Sequence, residues 1–159
     1  MRIKWFSLIR ITGLLLVLLY HFFQTIFPGG FFGVDVFFTF SGFLITALLI
    51  EEFSKNHEID LIGFFRRRFY RIVPPVVLMI LVTMPFTFLV RQDYVAGIGG
   101  QIAGVLGFMT NFYELLTGGS YESQFIPHLF VHNWSLAVEV HYYILWGLAV
   151  WFLSKQSRS

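Results

Sequence analysis

Apolar residues come in long runs along this chain, not in the alternating or every-third-or-fourth pattern of a soluble fold. Residues 5–27 and 31–50 form two such runs, joined by the turn Phe27-Pro28-Gly29-Gly30. Each reaches the roughly 20 residues that a helix needs to cross a bilayer. Residues 72–90 make a third run, entered at Pro74 and Pro75, where a missing N–H costs least, with Pro85 as its kink. The last run covers 134–153. Between these, 94–116 is only moderately apolar: Gln101 and Asn111 interrupt it, and Gly97, Gly99, Gly100, Gly104 and Gly107 give a small-residue face suited to tight packing. It reads either as a full span or as a segment that enters and returns on one side. Residues 61–65, apolar and aromatic ahead of Arg66, Arg67 and Arg68, read as a short helix lying in the membrane interface. The expectation is an all-α polytopic membrane bundle of four to five apolar segments, with 1–159 one domain and no soluble domain.

Composition agrees. The chain is 57% hydrophobic and only 13% charged, against about 25% charged in soluble domains. It has no cysteine, which excludes disulfides, thiolate catalysis and thiolate metal sites. A formal charge of +2 says little about nucleic acid, and none is expected as a partner. The first run is too long for a cleaved signal peptide, and no small-residue cleavage site follows it, so it reads as a signal anchor.

Charge also orients the chain. Arg2 and Lys4 precede the first run, and Lys55, Arg66, Arg67, Arg68 and Arg71 follow the second. The positive-inside rule places the N-terminus and loop 51–71 in the cytoplasm and the Pro-Gly-Gly turn outside a plasma or inner membrane. Loop 117–132 has neither Lys nor Arg and favours the outside, whereas Lys155 and Arg158 favour the inside. Both preferences hold only if 94–116 returns on the side it entered.

Ionisable groups inside apolar runs are costly and so are functional candidates. Arg10 and His21 stand eleven residues apart in the first run, which on a helix is one shared face, about 16 Å apart along the axis. Asp35 lies in the second run. Counted from the middle of the turn, His21 and Asp35 fall at nearly the same depth. They are either a buried polar pair that locks the hairpin, or an imidazole base held in one tautomer by a carboxylate. Ser135 and Glu139 share a face of the last run, one turn apart. Ser135 reads first as an N-cap, while Trp134, Tyr142 and Tyr143 suit an interfacial belt or stacking on sugar rings. His128, His132 and His141 have no carboxylate at ligand spacing, and no metal site is expected.

Four blocks occur in a telling order: Arg10 followed by His21; Phe32-Gly33-Val34-Asp35-Val36-Phe37-Phe38 with Ser41-Gly42; Arg67-Arg68-Phe69-Tyr70-Arg71-Ile72-Val73-Pro74; and His132-Asn133-Trp134-Ser135-Leu136-Ala137-Val138-Glu139. Together they resemble the motifs of the integral-membrane acyltransferase-3 family. The resemblance implies an O-acyltransferase of the cell envelope, moving an acyl group, usually acetyl, onto a hydroxyl of an extracytoplasmic sugar of peptidoglycan or polysaccharide. It implies acyl-CoA as donor, with no bound cofactor, and membrane lipids as surroundings. It makes His21, Asp35 and Glu139 catalytic candidates. Arg10, Arg67, Arg68 and Arg71 become candidates for the anionic donor, where guanidinium groups grip phosphate. Trp134 and Ser135 become candidates for the acceptor.

The block after the serine departs from the family, which often has a second Glu where this chain has Val140. Members of the family also continue through further spans, so the chain is expected to be the N-terminal half of a larger bundle, completed by downstream sequence or a partner chain. The rival readings are a transporter-like or lipid-linked-sugar-handling protein and a non-catalytic fragment. Transporters show paired halves with broken helices, and no internal repeat is visible here.

Overall fold

The computed structural model describes residues 4–89, 97–117 and 128–156. These residues form α-helices and short 3-10 turns, with no strand among them. The chain divides into two compact units, Met1–Ile59 and Asp60–Ser159.

The first unit is a hairpin of α1 (Lys4–Phe22) and α2 (Phe32–Asn56). Its turn is longer than the Pro-Gly-Gly sequence suggested. α1 stops at Phe22, Ile26 and Phe27 donate their N–H groups back to the Phe23 carbonyl, and a 3-10 turn over Pro28–Phe31 leads into α2. The two helices then run antiparallel in close contact. A Cβ on Gly33 would stand 2.5 Å from the Gly13 carbonyl oxygen and 2.9 Å from Val17, and one on Gly30 would strike the Leu16 carbonyl. Only glycine lets the backbones come so near. Three threonine hydroxyls return to carbonyls one turn back, Thr12 to Leu8, Thr39 to Asp35 and Thr46 to Gly42. α2 runs six residues past the expected boundary, absorbing 51–56, and ends where His57 turns left-handed (φ 53°) and donates its N–H to Phe53.

The second unit opens with α3 (Leu61–Phe86), whose first turn is capped by Asp60 accepting from the Gly63 N–H at 2.9 Å. The expected interfacial helix and third span are one continuous helix. Pro74 and Pro75 lie inside it, not at its start. Each removes one donor, which releases the Tyr70 and Arg71 carbonyls from the helix ladder. The stretch read as moderately apolar folds into two short helices, α4 (Ile98–Leu106) and α5 (Thr110–Thr117). The chain reverses between them at Gly107 and Phe108, the latter at φ 52°. At 1.5 Å per residue each is only about 12–14 Å long, so neither crosses a bilayer. Gly97, Gly100 and Gly104 accommodate Tyr113 of α5, which realises the small-residue face seen in the sequence. α6 covers Trp134–Gln156. Val76 and Ile80 of α3, Val105 of α4 and Phe130 form a buried core, with Met79 and Leu136 against it.

α2, α3 and α6 are long and apolar enough to cross a membrane, and α1 carries a shorter apolar stretch, Ile11–Phe22. This is an all-α membrane protein.

The hairpin's contact generates a prediction. Gly33→Ala puts a methyl group against a backbone carbonyl that cannot move aside cheaply. It should destabilise the fold by roughly 1–3 kcal/mol, the cost of overpacking, read as earlier thermal unfolding in detergent. Gly29→Ala, where a Cβ meets nothing within 4 Å, should not.

Candidate active site

In the first unit, His21 occupies the last turn of α1 and its side chain is exposed. Its Nδ1 lies 2.7 Å from the Val17 carbonyl oxygen, one turn back. A carbonyl only accepts, so Nδ1 carries the hydrogen and Nε2 is the basic nitrogen. Tyr20 packs edge-on against the ring at 5.5 Å between centroids. Arg10 belongs to the same unbroken helix, eleven positions earlier, so the two positions share a face; its side chain lies outside the described part of the structure.

Asp35 lies in the first turn of α2, with an exposed side chain. Its carboxylate was expected level with His21 and bonded to it. No hydrogen bond or ion pair joins the two. The reason is the turn: residues 23–31 do not prolong both helices to a common apex. Gly30 packs at Leu16 and Tyr20, and Gly33 at Gly13 and Val17. That register sets Asp35 roughly two helical turns from the level of His21. Asp35 is also two residues beyond Gly33, about 200° around α2, and so faces away from α1.

In the second unit the arginine cluster divides. Arg66, Arg67 and Arg71 are exposed, whereas Arg68 is half-buried and turned toward α6. Its guanidinium lies 5.6 Å from the Phe64 ring centroid and 5.5 Å from that of Tyr143, a cation held between two aromatic faces. Tyr143 is buried, and its hydroxyl donates to Oε1 of Glu139, which is only 7% exposed. Gly147, one turn further, lets Phe64 close on α6; a Cβ there would stand 3.1 Å from its ring. Tyr143 therefore links two residues the sequence picked out separately, Arg68 and Glu139. Buried as it is, it offers no face for a sugar to stack on.

Ser135 is not an N-cap. A 3-10 turn over Val131–Asn133 runs directly into α6, which places Ser135 already inside the first helical turn, and its hydroxyl donates to the His132 carbonyl at 3.3 Å. Trp134, half-buried, is the first residue of α6. Tyr142 stacks on Trp146.

Sequence spacing missed one pair altogether. His128 Nδ1 meets Glu114 Oε2 at 2.6 Å, both side chains about nine-tenths buried. Nearby, Gln101, read as an interruption of an apolar run, accepts from the Phe130 N–H at 3.2 Å and ties that loop to α4. Fourteen residues separate Glu114 from His128, and no helical or strand periodicity connects them; only the return of the chain onto α5 does.

The chain matches, over residues 3–159, the family described as Acyltransferase domain, acyltransferase-3. It is similar to the O-acetyltransferase OatA of Staphylococcus aureus, 33% identical over 91% of this chain and 24% of that protein. It is also similar to the peptidoglycan O-acetyltransferase OatA of Listeria monocytogenes, 32% identical over 87% of this chain and 22% of that protein. The chain thus spans about a quarter of the length of these relatives. No solved structure matches it.

The tyrosine link predicts a measurable cost. Tyr143→Phe keeps the ring beneath Arg68 but removes the donor to a buried carboxyl, and should cost about 1–3 kcal/mol of stability. Tyr142→Phe, on the half-buried neighbouring position, serves as control. Equal thermal unfolding of the two variants in detergent would show that the hydroxyl contributes nothing.

Proposed function

This chain belongs to the acyltransferase-3 family, and on that premise we propose that it transfers an acyl group, acetyl in the first instance, from cytoplasmic acyl-CoA to a hydroxyl of an extracytoplasmic cell-envelope sugar. The observation that carries the reading is His21. It is an exposed imidazole on a membrane helix, with its Nδ1 hydrogen committed to the Val17 carbonyl and its basic nitrogen thereby defined. The names of the relatives, both O-acetyltransferases and one of them a peptidoglycan O-acetyltransferase, support the acetyl group and the envelope acceptor.

In the proposed reaction Nε2 of His21 takes the proton of the acceptor hydroxyl as its oxygen attacks the thioester carbonyl. The new C–O bond forms, the C–S bond breaks, and the departing thiolate recovers the proton from the imidazolium. General-base help of this kind is worth about 10²–10⁴ in rate. The Val17 carbonyl orients the ring, which leaves Asp35 to act on substrate. Arg10, Arg67 and Arg71 bind donor phosphates. Arg68, held between aromatic rings, and Glu139, held by Tyr143, serve substrate binding in this reading. Trp134 and Ser135, at the head of α6, contact the acceptor.

The membrane path follows the same reading. α4 and α5 are too short to cross, which supports four crossings by α1, α2, α3 and α6, with both ends of the chain in the cytoplasm. Single cysteines at Ser123 and Ser157, in this cysteine-free sequence, test it. An impermeant thiol reagent applied from outside should label position 123 and spare 157. The reverse pattern would establish an odd number of crossings.

The catalytic assignment is tested by His21→Gln, which keeps size and polarity but loses the base. Transfer from acetyl-CoA should fall at least about a hundredfold with thermal unfolding unchanged. Asp35→Asn should cost less. Arg10→Gln should raise KM for acetyl-CoA more than it lowers kcat. A well-folded His21→Gln protein that transfers at the normal rate would refute the assignment.

A further inference from the structure

Outside the four sequence blocks, the second unit holds a buried polar cluster that is short of donors. Thr110, Asn111 and Glu114 stand at successive i, i+1 and i+4 positions of α5, which brings them to one side of that helix. Thr110 Oγ1, Asn111 Oδ1 and Glu114 Oε1 are all buried, and none takes a hydrogen bond. The other carboxylate oxygen of Glu114 is held by His128 Nδ1 at 2.6 Å. Tyr113 sets its ring 5.7 Å from that of His128. One unpaired buried polar atom already destabilises a fold. Three on adjoining positions mark a place that something else completes.

Chemistry narrows what that is. An ionised carboxylate and an amide oxygen only accept, and a threonine hydroxyl can do either. The complement is therefore rich in O–H donors and carries no negative charge, since Glu114 would repel an anion such as the phosphates of acyl-CoA. A carbohydrate with neighbouring hydroxyls meets both conditions. We propose that Thr110, Asn111, Glu114 and His128 form a binding site for hydroxyls of the acceptor sugar. The proposal rests on the reading that the acceptor is an envelope glycan, and it adds the residues that recognise it. Glu114 accepts from one hydroxyl through Oε1, Asn111 and Thr110 from a neighbour, and His128 fixes the carboxylate by holding its second oxygen.

The test uses the protein as its gene encodes it, in nanodiscs, titrated with radiolabelled glycan strands prepared from peptidoglycan. Acetyl transfer from acetyl-CoA to the same strands is followed in parallel. Glu114→Gln and Thr110→Val keep volume and remove acceptor strength. Each should weaken strand binding and raise KM for strands about tenfold, as expected for one lost hydrogen bond to a buried polar group. KM for acetyl-CoA should stay as in the wild type. His21→Gln should bind strands normally while failing to transfer. Unchanged strand affinity in both Glu114→Gln and Thr110→Val, beside a wild type that binds and transfers, overturns this inference alone; the cluster then holds water only. Equal loss of strand and acetyl-CoA affinity with earlier unfolding marks a structural role and overturns it too. A wild type that neither binds strands nor acetylates them overturns the acceptor reading and this inference together.

Discussion

The close approach of α1 and α2 at Gly13, Gly30 and Gly33 decides where the polar groups of the first unit come to lie. Lipid tails are as apolar as leucine, so membrane helices gain little from hiding apolar side chains on one another. They associate by packing, best where small residues let backbones meet. Three glycines in this hairpin thus do what a hydrophobic core does in water. They fix the register, and the register turns Asp35 away from α1. The tautomer of His21 is set from within α1, because the Val17 carbonyl that takes its Nδ1 hydrogen belongs to its own preceding turn.

The long apolar helices were legible in the sequence, because run length answers directly to the bilayer. The hairpin register was not. Placing His21 beside Asp35 assumed that residues 23–31 act as a simple apex, whereas they form a backbone turn and a 3-10 segment whose geometry no apolar pattern encodes. The prolines of α3 misled in the opposite sense. Pro74 and Pro75 looked like a helix start, yet each costs one ladder bond and the helix carries both. The glycines of α4 announced tight packing, but nothing in their spacing named Tyr113 as the partner. Glu114 and His128 had no local signal at all, since a pair formed by a returning loop leaves no periodic trace.

The arginines show how one sequence feature can hold two roles. A basic block beside a membrane run sets topology whatever the protein does, so composition alone could not separate orientation from binding. Helical phase divides the block by surroundings. Arg67 and Arg71 are one turn apart and both exposed, on one basic face of α3. Arg68 follows Phe64 by one turn and points the other way, onto Tyr143. The two rings fix the plane of its guanidinium.

Three carboxylates of the described helices, Asp35, Glu114 and Glu139, differ in what they have left to give. Glu139 is buried and takes the hydroxyl of Tyr143, one turn along its own helix, so it is held in place from within α6. Asp35 is exposed near the start of α2, and no hydrogen bond to its carboxylate is found among the described residues. Glu114 differs from both. It is buried, one oxygen is committed to His128, and the other has no donor. A buried carboxylate with half its capacity unmet is costly to keep for structure alone, because glutamine or an apolar residue would fill the same volume at less expense. Of the three, Glu114 is thus the one whose environment asks for a ligand rather than for a neighbour.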